Sequence, residues 1–135
     1  MHEKIAIREI CQDWFEKILP TICDRETSQD ATGWTKENPL WGHCAVVTLI
    51  AQDIWGGKLL RASLENIPGF QHFRSHYWNL LPTGIERDFT RSQFGDSYPL
   101  NLTGVERNRE YVLSFPETAK RYELLQGRLK ELLQK

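Results

Sequence analysis

Residues 43–55, HCAVVTLIAQDIW, form an almost unbroken apolar run that ends at Gly56-Gly57. A folded domain has to hide such a segment on every side, so the rest of the chain must pack around it. The run is longer than an ordinary strand of about 5–6 residues, and the glycine pair supplies a helix stop. We read it as a central buried helix with Cys44 in its first turn.

What packs around it is limited by the chain's size. A chain of 135 residues is enough for one domain with a core of its own, taken as residues 1–135. The formal net charge is -1, so no field steers the protein to nucleic acid or to anionic lipid. No apolar run approaches the ~20 residues of a membrane span, so no membrane partner is expected. The first residues, MHEKIAIREICQDWFEKIL, carry Glu and Asp throughout, unlike a signal or transit peptide. A cytoplasmic location is therefore expected. Cys11, Cys23 and Cys44 are an odd set without a Cys-x-x-Cys spacing, which suits free thiols in a reducing compartment.

The remaining elements follow from periodicity. Residues 3–19 place Ile5, Ile7, Ile10, Cys11, Trp14, Phe15 and Ile18 mostly three and four apart. That pattern predicts an amphipathic helix stopped at Pro20, with Cys11 in the core. Residues 24–42 are polar, contain Gly and Pro, and read as one long loop. Residues 58–65 and 74–81 are strand-like, and 85–90 follows the second across Pro82-Thr83-Gly84, which predicts a β-hairpin. Residues 91–104 look irregular. Residues 105–114 read as helix, and a last helix starts at Pro116 with Ser114 as a cap candidate. The expected class is α+β, with the central helix packed on a small antiparallel sheet and helices at both termini.

Cys44 is the residue with chemistry to offer. A thiol at a helix N-terminus meets unsatisfied N–H groups and the positive dipole end, and both favour the attacking thiolate. Gly42 permits a tight turn into the helix and close backbone approach. A nucleophile needs a base, and a base needs an orienting partner. Among His2, His43, His72 and His76, only His76 falls inside a predicted strand, a rigid place to hold a base. Side chains alternate along a strand, so His76, Trp78 and Leu80 share a face. If residues 82–84 are the hairpin loop, Leu81 pairs with Ile85 and Trp78 with Asp88, and His76 opposes Thr90. Asp88 is then on the His76 face, one diagonal step away. A two-residue loop would turn it to the opposite face. The backbone N–H of Cys44 is the natural donor to a developing oxyanion, with Asn38 as a side-chain donor and Trp41 as another choice.

Each of these residues has a structural alternative. A lone cysteine is more often a small core residue. His76 has an alternative as a packed strand histidine, and Asp88 as a cap to its own loop at Thr90. Asn79 replaces Asp88 as orienter only in a different register. His72 and His76 are four apart, but with one in a loop and one in a strand they do not form a zinc pair, so no metal is expected. Trp34, Trp41 and Trp78 are cleft candidates, and Trp55 reads as core.

Taken together, NPLWGHCAVVTLIAQDIWGGKLLR, SHYWNLLPTGIERDFTRSQF and ETAKRYELLQGRL resemble the small bacterial YunG-like proteins across residues 34–133. The order Cys on a helix, His on a strand, Asp on the next strand also resembles the papain-like superfamily, above all its transglutaminase-like and NlpC-like branches. That resemblance implies a papain-like α+β fold with Cys44, His76 and Asp88 as triad and no cofactor. A Gln often precedes the Cys in this pattern, where this chain has His43. Another Gln, six residues before the Cys, completes the oxyanion hole of papain, where this chain has Asn38. The expected activity is cleavage or transfer at an amide or acyl bond of a peptide or small molecule. The other expectation is a papain-like binding module whose triad is idle and whose cleft, with Trp41, His43 and Trp78, holds a ligand.

Overall fold

The apolar run forms helix α2 (Cys44–Trp55), in which Val46, Val47, Leu49, Ile50, Ala51 and Ile54 are buried. It is apolar on nearly all sides because it lies between a sheet and a second long helix. Each fully buried aliphatic side chain here contributes about 1.5–3 kcal/mol. The computed structural model describes residues 10–99 and 101–134. Around α2 are helix α1 (Gln12–Ile22), strands β1 (Lys58–Ser63), β2 (Ser75–Leu80), β3 (Glu86–Arg87) and β4 (Val105–Arg107), and helices α3 (Arg109–Leu113) and α4 (Pro116–Leu133). The strands form one antiparallel sheet in the order β3-β2-β1-β4. No described helix is long and apolar enough to cross a membrane.

The register of the hairpin decides which residues meet. Asn79 opposes Arg87 and Leu80 opposes Glu86. The Leu81 N–H donates to the Ile85 carbonyl at 2.8 Å, and the Gly84 N–H closes the turn onto the Leu81 carbonyl at 2.9 Å. The loop is therefore residues 82–84. One sheet face, with Leu59, Tyr77 and Asn79, packs on the main core around α2. The opposite face, with Leu60, Ala62 and Trp78, is joined by Leu102.

Several expectations need correction. The part of the first helix over residues 3–9, with Ile5 and Ile7, lies outside the described residues, and α1 itself begins at Gln12. Cys11 is not core. It is exposed, and as the extended N-cap its Sγ accepts the Trp14 N–H at 3.4 Å. Pro20 does not stop α1, which runs on to Ile22. Pro20 lies in the last turn, where it removes one helical bond, and the Cys23 N–H still reaches the Leu19 carbonyl at 3.1 Å.

Residues 105–114 are not one helix. Val105–Arg107 extends the sheet beside β1, where a strand partner outweighs helical charge patterning. Asn108 then caps the short α3, its Oδ1 accepting the Tyr111 N–H at 2.7 Å. Ser114 does not cap α4; its hydroxyl donates back to the Tyr111 carbonyl, while Pro116 takes the first helical position.

Candidate active site

Cys44 opens α2 after His43, the N-cap, which offers no side-chain cap. The first amide to bond within the helix is that of Val47, to the His43 carbonyl at 3.0 Å. The N–H groups before it belong to the unsatisfied first turn. The entry turn needs Gly42, whose φ is +76° and whose added Cβ would sit 2.3 Å from Ser28 Oγ. The backbone that approaches Gly42 is the chain's own segment Ser28–Asp30, which takes the place expected of a substrate. Residues 24–42 form a long loop as expected, but one folded back on itself. The Ser28 hydroxyl donates to the Trp41 carbonyl at 2.6 Å, the Gln29 N–H to the Gly42 carbonyl at 2.9 Å, and Trp41 Nε1 to Asp30 Oδ2 at 3.0 Å.

The His76 Nε2 and Asp88 Oδ2 are 2.5 Å apart. Asp88 is saturated with donors. Its Oδ2 also accepts the Tyr98 hydroxyl at 2.7 Å, and its Oδ1 accepts the Thr90 N–H at 3.1 Å. The imidazole is 1% exposed, stacked on Trp78 at 5.7 Å and met edge-on by Phe94 at 4.9 Å. Burial opposes its charged form. The bond to Asp88, followed by hydrogen-bonding and charge effects of Cys44, outweighs that and raises His76 to about 9. Burial likewise opposes the Asp88 carboxylate, but its bond and charge interaction with His76 hold it below its usual range. With Nε2 given to Asp88, Nδ1 is the ring nitrogen left open.

Cys44 itself is buried, yet it lines a cavity of about 380 Å³ with Gly42, Trp41, His72, Phe73 and Gln93. Trp41 stacks on His72 at 6.0 Å and tilts onto Phe73 at 4.8 Å, which makes this wall aromatic.

The structure does not bring the other expected cleft residues to that cavity. His43 is fully buried, with Nδ1 on the Trp41 carbonyl at 2.9 Å and Nε2 on Thr27 Oγ1 at 2.6 Å. Burial lowers it to about 4, so it is a neutral tie between helix start and loop. Asn38 does not line the cavity, and its Nδ2 donates to the Gln93 carbonyl at 2.9 Å. Trp78 lies against His76 and donates its Nε1 to Glu86 at 2.7 Å, away from the cavity. Asn79 faces α2, donating to the Thr48 carbonyl at 3.0 Å. Among the described residues no group of His, Cys, Asp and Glu is arranged to hold a metal.

The sequence reading missed Gln93 and Tyr98. Gln93 is buried; its Nε2 donates to Thr90 Oγ1 at 2.9 Å and its Oε1 takes the Gly42 N–H at 3.4 Å. It thus links the Asp88 turn to the entry of α2. Both residues lie in 91–104, a segment without periodicity, so no sequence signal marked them.

The model of the family described as YunG protein matches residues 12–134. The chain belongs to the YunG family. A member of that family from Bacillus subtilis (strain 168), described as uncharacterized protein YunG, is 30% identical over 77 residues. Those residues are 57% of this chain and 58% of the relative's length. No solved structure matches. The YunG match includes the whole span from Cys44 to Gln93, so the cavity and the His76–Asp88 pair lie within the family's matched region.

Proposed function

We propose that this YunG-family chain is a thiol enzyme of papain-like kind that cleaves or transfers at an amide or acyl bond. The observation that supports it most is the His76–Asp88 bond at 2.5 Å, which gives a buried imidazole an orienting carboxylate. Cys44 Sγ attacks the carbonyl carbon as a thiolate, its proton held on His76 Nδ1. The tetrahedral oxyanion meets the free N–H groups at the start of α2. The bond to the leaving amine breaks, and that amine takes the proton from His76. A thioester on Cys44 remains. Water, deprotonated by His76, then attacks it and releases the acid and the free thiol. An amine in place of water gives acyl transfer. Asp88 keeps the imidazole in one tautomer throughout.

The test is alkylation with iodoacetamide across a pH series, each cysteine read by peptide mass spectrometry. Cys23 is an internal control, because burial pushes its thiol far up. The proposal expects Cys44 to label much faster than Cys23 and to lose that advantage in His76→Ala. Slow labelling of Cys44, or labelling indifferent to His76, returns the protein to a binding module.

A further inference from the structure

Next to the Cys44 cavity lies a second one, of about 370 Å³, that holds a different set of groups. The two share Gln29 and Ser75 as walls, and consecutive residues of α2 line them, Cys44 the first and Ala45 the second. The two cavities therefore adjoin at Gln29 and Ser75.

The second stretch is cationic. Arg61 and Arg121 both line it. Arg61 lies directly opposite Tyr77 in the β1–β2 register, and Ser63 opposite Ser75, so this end of the β1–β2 pair borders the second cavity. Among the described residues, Arg61 makes no ion pair. Arg121 gives a bond within its helix, to Thr118 Oγ1 at 3.3 Å, while its buried Nε has no partner among the described residues. An N–H of a guanidinium left unbonded inside a protein is costly, and five donors in a planar fork match a carboxylate. Tyr77 and Tyr111 add two phenols, and half-exposed Phe115 closes the rim. Glu117 is the one carboxylate on this wall, and it offsets part of the Arg121 charge. What remains suits a singly charged acid better than a dianionic phosphate.

We propose that Arg61 and Arg121 bind a carboxylate, placed to hold the acid end of the compound whose carbonyl meets Cys44. The substrate class is then an acylated amino acid or a peptide's C-terminal end, with the amide bond next to the free carboxylate. This rests on the reading of Cys44 as nucleophile, but the carboxylate site has its own readout.

The probe is N-iodoacetylglycine, compared with N-iodoacetylglycinamide, which differs only in lacking the charge. Rates at Cys44 are read by peptide mass spectrometry on the full chain. The anionic probe is expected to react about tenfold faster, the scale of one charge-assisted hydrogen bond. Arg61→Gln and Arg121→Gln should each pull that ratio towards one without changing the iodoacetamide rate, which also reports that each variant is folded. A ratio of one or less in the unaltered protein, or a ratio that neither substitution moves, overturns the site. The second readout is hippurate titration followed by NMR at the two arginine Nε–H groups. Shifts there with slow iodoacetamide labelling uphold the carboxylate site and sink the enzyme reading. No shifts with fast, His76-dependent labelling do the reverse. Inorganic phosphate displacing hippurate at lower concentration overturns the choice of carboxylate.

Discussion

His76 and Asp88 meet at 2.5 Å although β3 itself is only Glu86–Arg87, because the loop of residues 82–84 fixes a register that continues past the paired strand. Asp88 is thus delivered by the turn. Asp88→Asn keeps the shape and removes the charge. Burial then acts on His76 with only Cys44 to oppose it, and the imidazole should fall from about 9 by roughly two units or more. Titration of the His76 ring protons by NMR measures this. An imidazole that stays near its original value would show that another group holds the proton.

Two buried histidines shape the dependence of stability on pH in opposite senses. His43 is lowered from 6.5 to about 4, so its contribution is present above 6.5 and is lost as pH falls through 4. His76 is raised from 6.5 to about 9, so its contribution is full below 6.5 and is lost as pH rises through 9. The folded state binds fewer protons than the unfolded one on the acid side and more on the alkaline side. Stability in urea should therefore peak near pH 6.5 and fall on both sides, by on the order of 3 kcal/mol per limb. His43→Gln should flatten the acid limb and His76→Gln the alkaline one. A curve flat from pH 4 to 9 contradicts both assignments.

The strongest sequence signals were local ones. The apolar run from Cys44 to Trp55 had no alternative to burial, and Gly56 ends it. The hairpin register was conditional on residues 82–84 being the loop, a choice the sequence left open, and the structure has that loop and that register. Cys11 failed because an N-cap leaves the helical period, so a residue on the counted stripe turns back to the Trp14 N–H. Val105–Arg107 failed because the vacancy beside β1 is a tertiary fact, invisible in a charge pattern that reads equally well as helix. The partners of Asp88 and Gly42, namely Tyr98 and Gln93, come from a segment with no period at all. Arg61 and Arg121 are 60 positions apart and meet only through folding.

Gly42 is required by its backbone as well as by its neighbours. Its φ of +76° strains any L side chain, and the new Cβ would meet Ser28 Oγ at 2.3 Å. Gly42→Ala should cost about 1–3 kcal/mol in thermal or urea unfolding. It should also slow iodoacetamide at Cys44, since the turn sets where α2 begins. Unchanged stability would mean that the Ser28–Asp30 segment moves aside freely.

Gln93 touches the entry of α2 and the Asp88 turn at once, through Gly42 and Thr90. Its Nε2 gives one of its two N–H groups to Thr90 Oγ1, and its Oε1 takes the Gly42 N–H. In the proposed mechanism its role is to position the backbone N–H groups beside Cys44. Alkylation by iodoacetamide forms no oxyanion, whereas acylation by p-nitrophenyl acetate does. Gln93→Leu should therefore leave the alkylation rate nearly unchanged and slow acylation of Cys44 about tenfold or more, a fraction of what losing an oxyanion donor outright costs. Release of p-nitrophenolate gives the acylation rate. Equal slowing of both reactions would make Gln93 a packing residue that merely keeps the cavity open, and the N–H groups at the start of α2 would then need another way of being held.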